Sequence, residues 1–140
     1  MWDDRYASDE YRFGTKPNRF LEECVPLLAP RSRVLSLGEG EGRNAVYLAS
    51  LGFDVTAVDQ SAVGLAKAHR LAAQHGVSIT TVTSDLNHYV IEPRAWDVII
   101  DFFCHMPLPE RAHLHQRVVA GLKPGGVYIL EIFTPAQLEL

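Results

Sequence analysis

The chain has 140 residues, enough for one domain around one core, and its 47% hydrophobic and 21% charged content belongs to a folded globular protein. A net charge of −4, a pI of about 5.8 and scattered basic residues exclude a nucleic-acid-binding face. No apolar run approaches the ~20 residues of a membrane span. The opening Met1-Trp2-Asp3-Asp4-Arg5 has no secretory h-region, so a cytoplasmic chain is expected. There, the widely separated Cys24 and Cys104 are expected as small core hydrophobes, neither a disulfide nor a metal pair.

Residues 1–20 carry Trp2, Tyr6, Tyr11, Phe13 and Phe20, with Arg5, Arg12, Lys16 and Arg19 between them. Gly14 and Pro17 interrupt any long helix. So much aromatic surface favours a lid that folds over a ligand; the alternative is a frayed terminal arm. Residues 21–140 then form the core. Asn18 is placed to cap a short helix reaching Leu28, closed by Pro30. Val34–Leu37 reads as a buried strand, followed by glycines at alternate positions, Gly38, Gly40 and Gly42. Ala45, Val46, Leu48 and Ala49 give the next helix its apolar face, and Gly52 ends it. Val55–Val58 is a second strand with Asp59 at its C-terminal end and Gln60 after it. Ser61 caps a helix over Ala62–His75, ended by Gly76. Ile79–Val82 is a third strand, with Asp85 just beyond. Pro93 marks a loop, and Trp96–Phe103 reads as a fourth, buried strand. Pro107 and Pro109 open a helix over Glu110–Leu122. Lys123-Pro124-Gly125-Gly126 has the composition of a type II turn, and Val127–Phe133 is the fifth strand.

Strands alternating with helices across short loops predict an α/β fold. Its architecture is a Rossmann-like, doubly wound, mostly parallel sheet of about five strands, with helices on both faces. Ligands then lie at the C-terminal strand ends. The glycine loop, Asp59 and Asp85 stand at three such ends.

The loop chemistry narrows the ligand. The dinucleotide fingerprint is G-x-G-x-x-G; here the spacing is G-x-G-x-G, and Arg43 stands where the third glycine would fall. Glu39 and Glu41 would repel a pyrophosphate. No Gly-Lys-Ser/Thr follows, which excludes a Walker loop. A cationic ligand without phosphate, such as S-adenosylmethionine, suits the loop better, and a nicotinamide oxidoreductase is disfavoured. A tight turn with no ligand is the remaining alternative.

The glycine loop, Val58-Asp59-Gln60-Ser61, Ser84-Asp85-Leu86, Trp96-Asp97-Val98-Ile99 and Leu122-Lys123-Pro124-Gly125-Gly126 together resemble the class I S-adenosylmethionine-dependent methyltransferases over nearly the whole chain. Gly40-Glu41-Gly42-Arg43-Asn44-Ala45 and Trp2-Asp3-Asp4-Arg5-Tyr6 are similar to the small-molecule branches near the tellurite-resistance and thiopurine methyltransferases. The resemblance implies a bound S-adenosylmethionine or S-adenosylhomocysteine and a small-molecule methyl acceptor. It implies that Gly38, Gly40 and Gly42 pass close to the methionine part and ribose. Asp59, with Gln60 beside it, would accept from the ribose hydroxyls. Asp85 and the Leu86 amide would meet adenine, and Phe102 or Phe103 would lie near the methyl group. Each has a plainer alternative: Asp59 and Asp85 as helix caps, the phenylalanines as core.

Two departures from the family pattern stand out. Ser36 occupies a position where many members carry an acid, which leaves Glu39 or water to hold the methionine ammonium. The sequence also stops after the fifth strand, where the family fold has two more. An alternative function is therefore a cofactor-binding fragment or regulatory partner without full catalytic activity. The same feature leaves the fifth strand as a sheet edge with little charge to protect it, a candidate homodimer contact. No catalytic base is assigned; His105 is a candidate for an oxygen or nitrogen nucleophile, against the alternative of a loop hydrogen bond. His113 and His115 face apart on a helix, and no metal is expected.

Overall fold

Short apolar runs pair into one parallel sheet because each is followed by a crossover long enough to return the chain to the same end. The computed structural model describes residues 2–7, 10–11, 14–102 and 107–131. In chain order these form α1 (Trp2–Arg5), α2 (Arg19–Cys24), a 3-10 turn (Val25–Leu27), β1 (Arg33–Leu37), α3 (Arg43–Ser50), β2 (Asp54–Asp59), α4 (Ala62–Gln74), β3 (Thr80–Thr83), β4 (Trp96–Phe102), α5 (Leu108–Gly121) and β5 (Leu122–Glu131). The sheet order is β3-β2-β1-β4-β5, and every pairing is parallel. The chain winds outward from β1 through β2 to β3, then returns to the other side of β1 as β4. That reversal leaves a crevice above β1. Leu37 pairs with Val58 on one side and with Asp101 on the other, so three strand ends stand level around it.

Strand alternation divides the core in two. Val34, Val98, Ile100 and Ile129 face Leu21 of α2, Leu48 of α3 and Leu71 of α4. Leu35, Leu37 and Ile99 face Leu114 and Val118 of α5, with Leu86, Ile91 and Trp96 completing that layer.

Boundaries differ from the sequence reading for local reasons. The first predicted helix leaves α geometry at Cys24 and continues as the 3-10 turn, because Pro26 has no N–H to donate. Asn18 does cap α2, its side chain accepting from the Leu21 amide. β3 runs one residue later than predicted. α5 begins at Leu108, directly after Pro107, and ends at Gly121. The predicted turn at Lys123–Gly126 is an excursion within β5. Trp96 pairs with Leu122 and Val98 with Val127, and Gly125 takes the positive φ of 81° that the third position of a type II turn requires. Phe103 and residues 132–133, the predicted ends of strands 4 and 5, lie outside the described residues.

Among the described residues β5 pairs only with β4 and is a sheet edge. Its flank meets α2, where Asn18 Nδ2 donates to Glu131 Oε1 at 2.9 Å.

Candidate cofactor site

The glycine loop is built on β2. The amides of Gly38 and Glu39 both donate to the Val58 carbonyl, at 2.8 and 3.2 Å. Gly38, Gly40 and Gly42 have φ of 67°, 69° and 100°. The loop thus enters left-handed backbone at every second residue, which is why its glycines alternate. Two of them are also packing positions. A Cβ on Gly40 would stand 2.7 Å from the Tyr6 hydroxyl, and one on Gly42 would stand 2.6 Å from Ala68 Cβ on α4.

Glu39 turns onto the N-terminus of α3. Its Oε1 accepts from the amides of Asn44 (3.1 Å) and Ala45 (2.8 Å), and its other oxygen accepts from the Ser36 hydroxyl. Gly42, the N-cap residue, has no side chain to do this, so Glu39 caps α3 from a distance. Burial pushes its carboxyl up to about 7; the bonds from Ser36, Ala45 and Asn44 oppose that rise, and the nearby Asp59 adds to it.

Asp59, at the end of β2, is 7% exposed. Oδ2 accepts from the Gly40 amide and Oδ1 from the Ser61 amide, each at 2.8 Å. The carboxylate therefore joins the glycine loop to the start of α4. Burial pushes its carboxyl above the ordinary range, against the pull of those two amides. Ser61 caps α4 as expected, its hydroxyl accepting from the Gly64 amide. Gln60 is exposed.

The third strand end connects directly, since the Ser84 amide donates to the Asp59 carbonyl at 2.9 Å. The Asp85 side chain is 51% exposed; Oδ1 accepts from the Asn87 amide at 3.0 Å, and Oδ2 stands 3.3 Å from His88 Nδ1. Leu86 is buried beneath it. Arg117 of α5 fixes this loop from behind, donating to the carbonyls of Leu86 and Tyr89, both at 2.7 Å. Phe102 is half-buried at the end of β4, beside the buried Asp101 that the Tyr128 hydroxyl meets at 3.3 Å.

The loop, Asp59 and Asp85 are thus joined through successive hydrogen bonds, while Phe102 stands across β1. His105, with Phe103 and Cys104, lies outside the described residues. No group of three or more potential metal ligands occurs among the described residues.

One pair escaped the sequence reading. Glu41 is an ion-pair partner of Lys67 on α4, with side chains 4% and 1% exposed. The signal was there: Lys67 sits on the stripe of α4 shared by Gly64, Leu65, Ala68, Leu71 and Ala72. A cation on that face must be met by a buried partner.

A carboxylate-lined crevice at the reversal point of a five-stranded parallel sheet defines a Rossmann-like cofactor domain. A family model described as a methyltransferase domain matches residues 34–126, and the chain belongs to that family, among the class I S-adenosylmethionine-dependent methyltransferases. A 2-heptyl-1-hydroxyquinolin-4(1H)-one methyltransferase of Mycobacteroides abscessus is 30% identical over 106 residues, 74% of this chain and 47% of that protein. The "Probable S-adenosyl-L-methionine-dependent methyltransferase TehB" of Haemophilus influenzae is 38% identical over 82 residues, 59% of this chain and 28% of that protein. The solved structure of the CcbJ methyltransferase from Streptomyces caelestis matches with a TM-score of 0.79 at 27% identity, over 100% of this chain and 59% of that one. The chain spans less than half the length of these two curated relatives.

Proposed function

We propose that the crevice holds S-adenosylmethionine for methyl transfer to a small-molecule acceptor. One observation carries this reading. The N-terminus of α3, where a nucleotide phosphate would sit in a dinucleotide fold, is filled by the Glu39 carboxylate, which takes the Asn44 and Ala45 amides. The Gly38, Glu39 and Gly40 amides are likewise spent on Val58 and Asp59. A phosphate would find no such donors there and a carboxylate in its place. A cation without phosphate meets Glu39 and Asp59, whose burial is relieved by a positive partner.

When bound, the cofactor supplies a methyl group on a sulfonium. The chain's own residues position it. Glu39 receives the methionine ammonium in the role left open by Ser36. Each Asp59 oxygen keeps a second lone pair for a ribose hydroxyl. Asp85 and the Leu86 amide border the adenine, and Phe102 borders the methyl end. The Mycobacteroides relative, whose acceptor is a small heterocycle, supports the acceptor class. No described helix is long and apolar enough to cross a membrane.

Melting with S-adenosylhomocysteine or NAD is the direct test. The first should raise the midpoint and the second should not; stabilisation by NAD alone would overturn the reading. Turnover of added acceptors then separates a methyltransferase from a cofactor-binding fragment.

A pH dependence follows from Glu39. Its folded carboxyl titrates near 7 instead of the ordinary 4.5. Raised in this way, the group stabilises the free protein below 4.5 and loses that contribution as pH rises through 7. The bound ammonium requires the ionised form, so affinity for S-adenosylhomocysteine should rise with pH, by up to about tenfold per unit below the folded value. Glu39→Gln should flatten that profile in calorimetry; an unchanged slope would remove Glu39 from the ammonium site.

Among the described residues β5 is a sheet edge, and this edge is the candidate homodimer contact. Sedimentation should show concentration-dependent association; a monomer at every concentration would exclude it.

A further inference from the structure

The N-terminal segment and the glycine loop meet at Lys67. Lys67 Nζ, on α4, donates to the Glu41 carboxylate and to the Glu10 carbonyl, the latter at 2.5 Å. The Tyr11 ring lies over the ammonium, 5.1 Å from centroid to Nζ, and the Tyr11 hydroxyl returns to the Lys67 carbonyl at 3.2 Å. Closer to the strand ends, Asp3 Oδ1 accepts from the Ser61 hydroxyl at 2.5 Å. Between these anchors Tyr6, 5% exposed, fills the notch left by two glycines. A Cβ on Gly40 would meet its hydroxyl at 2.7 Å, and a Cβ on Gly64 would meet its ring at 2.7 Å.

We propose that Lys67 is a positioning residue that clamps the N-terminal segment onto the glycine loop, so that Tyr6 forms a wall of the cofactor crevice and release of the clamp opens it. The inference rests on reading that loop as the cofactor cradle. The physical case is the cost of a buried ammonium. A charge this deep needs all of its partners. Glu41 belongs to the loop, whereas the Glu10 carbonyl and Tyr11 ring belong to the N-terminal segment. Lifting the segment strips the buried ammonium of both. Loop and segment therefore hold one another through a side chain that belongs to neither. Glu41 lies between Gly40 and Gly42, the two loop residues whose packing depends on Tyr6 and on α4, so movement at the clamp is felt by the loop backbone.

The test removes the clamp without stranding a charge. The double variant Glu41→Gln/Lys67→Met takes away the pair together, which a core tolerates better than loss of one partner. Amide exchange at Tyr6 and Tyr11 in the ligand-free protein, and the release rate of S-adenosylhomocysteine, are the two readouts. Both are expected to accelerate by about tenfold or more, as the competent closed population falls, while exchange in β1 and β4 stays at the wild-type rate. Unchanged exchange at Tyr6 and Tyr11 overturns the clamp. Faster exchange with an unchanged release rate overturns the link to the crevice. Failure of the wild-type protein to bind S-adenosylhomocysteine would remove the cofactor reading while the exchange measurement still decides the clamp. Should the double variant not fold, Tyr11→Ala, which truncates a half-buried ring, takes its place with the same readouts and outcomes.

Discussion

Asp59→Ala is expected to lower both stability and cofactor affinity. Two buried amides, Gly40 and Ser61, lose their acceptor at once. An orphaned buried donor costs about 1–3 kcal/mol, so a stability loss of roughly 2–4 kcal/mol is expected after partial rescue by water. Affinity for S-adenosylhomocysteine should fall by a further ~1.5–3 kcal/mol, the worth of hydrogen bonds to a charged group. Denaturant unfolding and calorimetry measure the two separately. A folded Asp59→Ala protein of wild-type affinity would reduce Asp59 to a structural staple; wild-type stability would contradict even that.

Gly42→Ala should be as damaging, for a different reason. Its Cβ would stand 2.6 Å from Ala68 Cβ and 2.7 Å from Ala68 Cα, at a backbone φ of 100°. The obstacle is helix backbone and the atom fixed to it, which no side-chain rotation can clear. Positive φ costs a non-glycine residue roughly 1–2 kcal/mol, and overpacking adds about 1–3 kcal/mol. Gly52 is the control: its φ is 95°, but nothing lies within 4 Å of its absent Cβ. Gly52→Ala should show only the backbone part. Equal losses of unfolding free energy in the two variants would mean that contact with α4 contributes nothing.

The sheet was legible in the sequence because its strands are apolar runs closed by glycine, proline or a capping serine. The parallel sheet with helices on both faces follows from that alternation. Asp59 was placed at a strand end for the same reason. Its bonds were not legible, because they depend on where β1 stops relative to β2, a register that only the paired backbone fixes. Glu39 and Glu41 show the limit most plainly. They flank the same glycine and look equivalent in the chain. Left-handed turns at Gly38, Gly40 and Gly42 send one to the first turn of α3 and the other under α4. Tyr6 was similarly hidden, since its notch is made by Gly40 and Gly64, which only the fold brings together. The KPGG turn was read correctly, but strand pairing on both sides of it depends on β4 waiting alongside.

The closed hydrogen bonding of the glycine loop has a thermodynamic consequence. The Gly38, Glu39, Gly40, Asn44 and Ala45 amides are all bonded within the free fold, so the loop's conformational entropy is surrendered when the chain folds. A ligand arriving there has little backbone left to order. Association at this cradle should therefore carry a small conformational-entropy penalty, unlike a disordered loop that must fold around its ligand. The heat capacity change should then report apolar surface covered and little coupled folding. A cradle set in advance also ties recognition to stability: substitutions that loosen the loop weaken the fold and the complex together, and a tighter complex is more readily reached by altering the side chains around the rim.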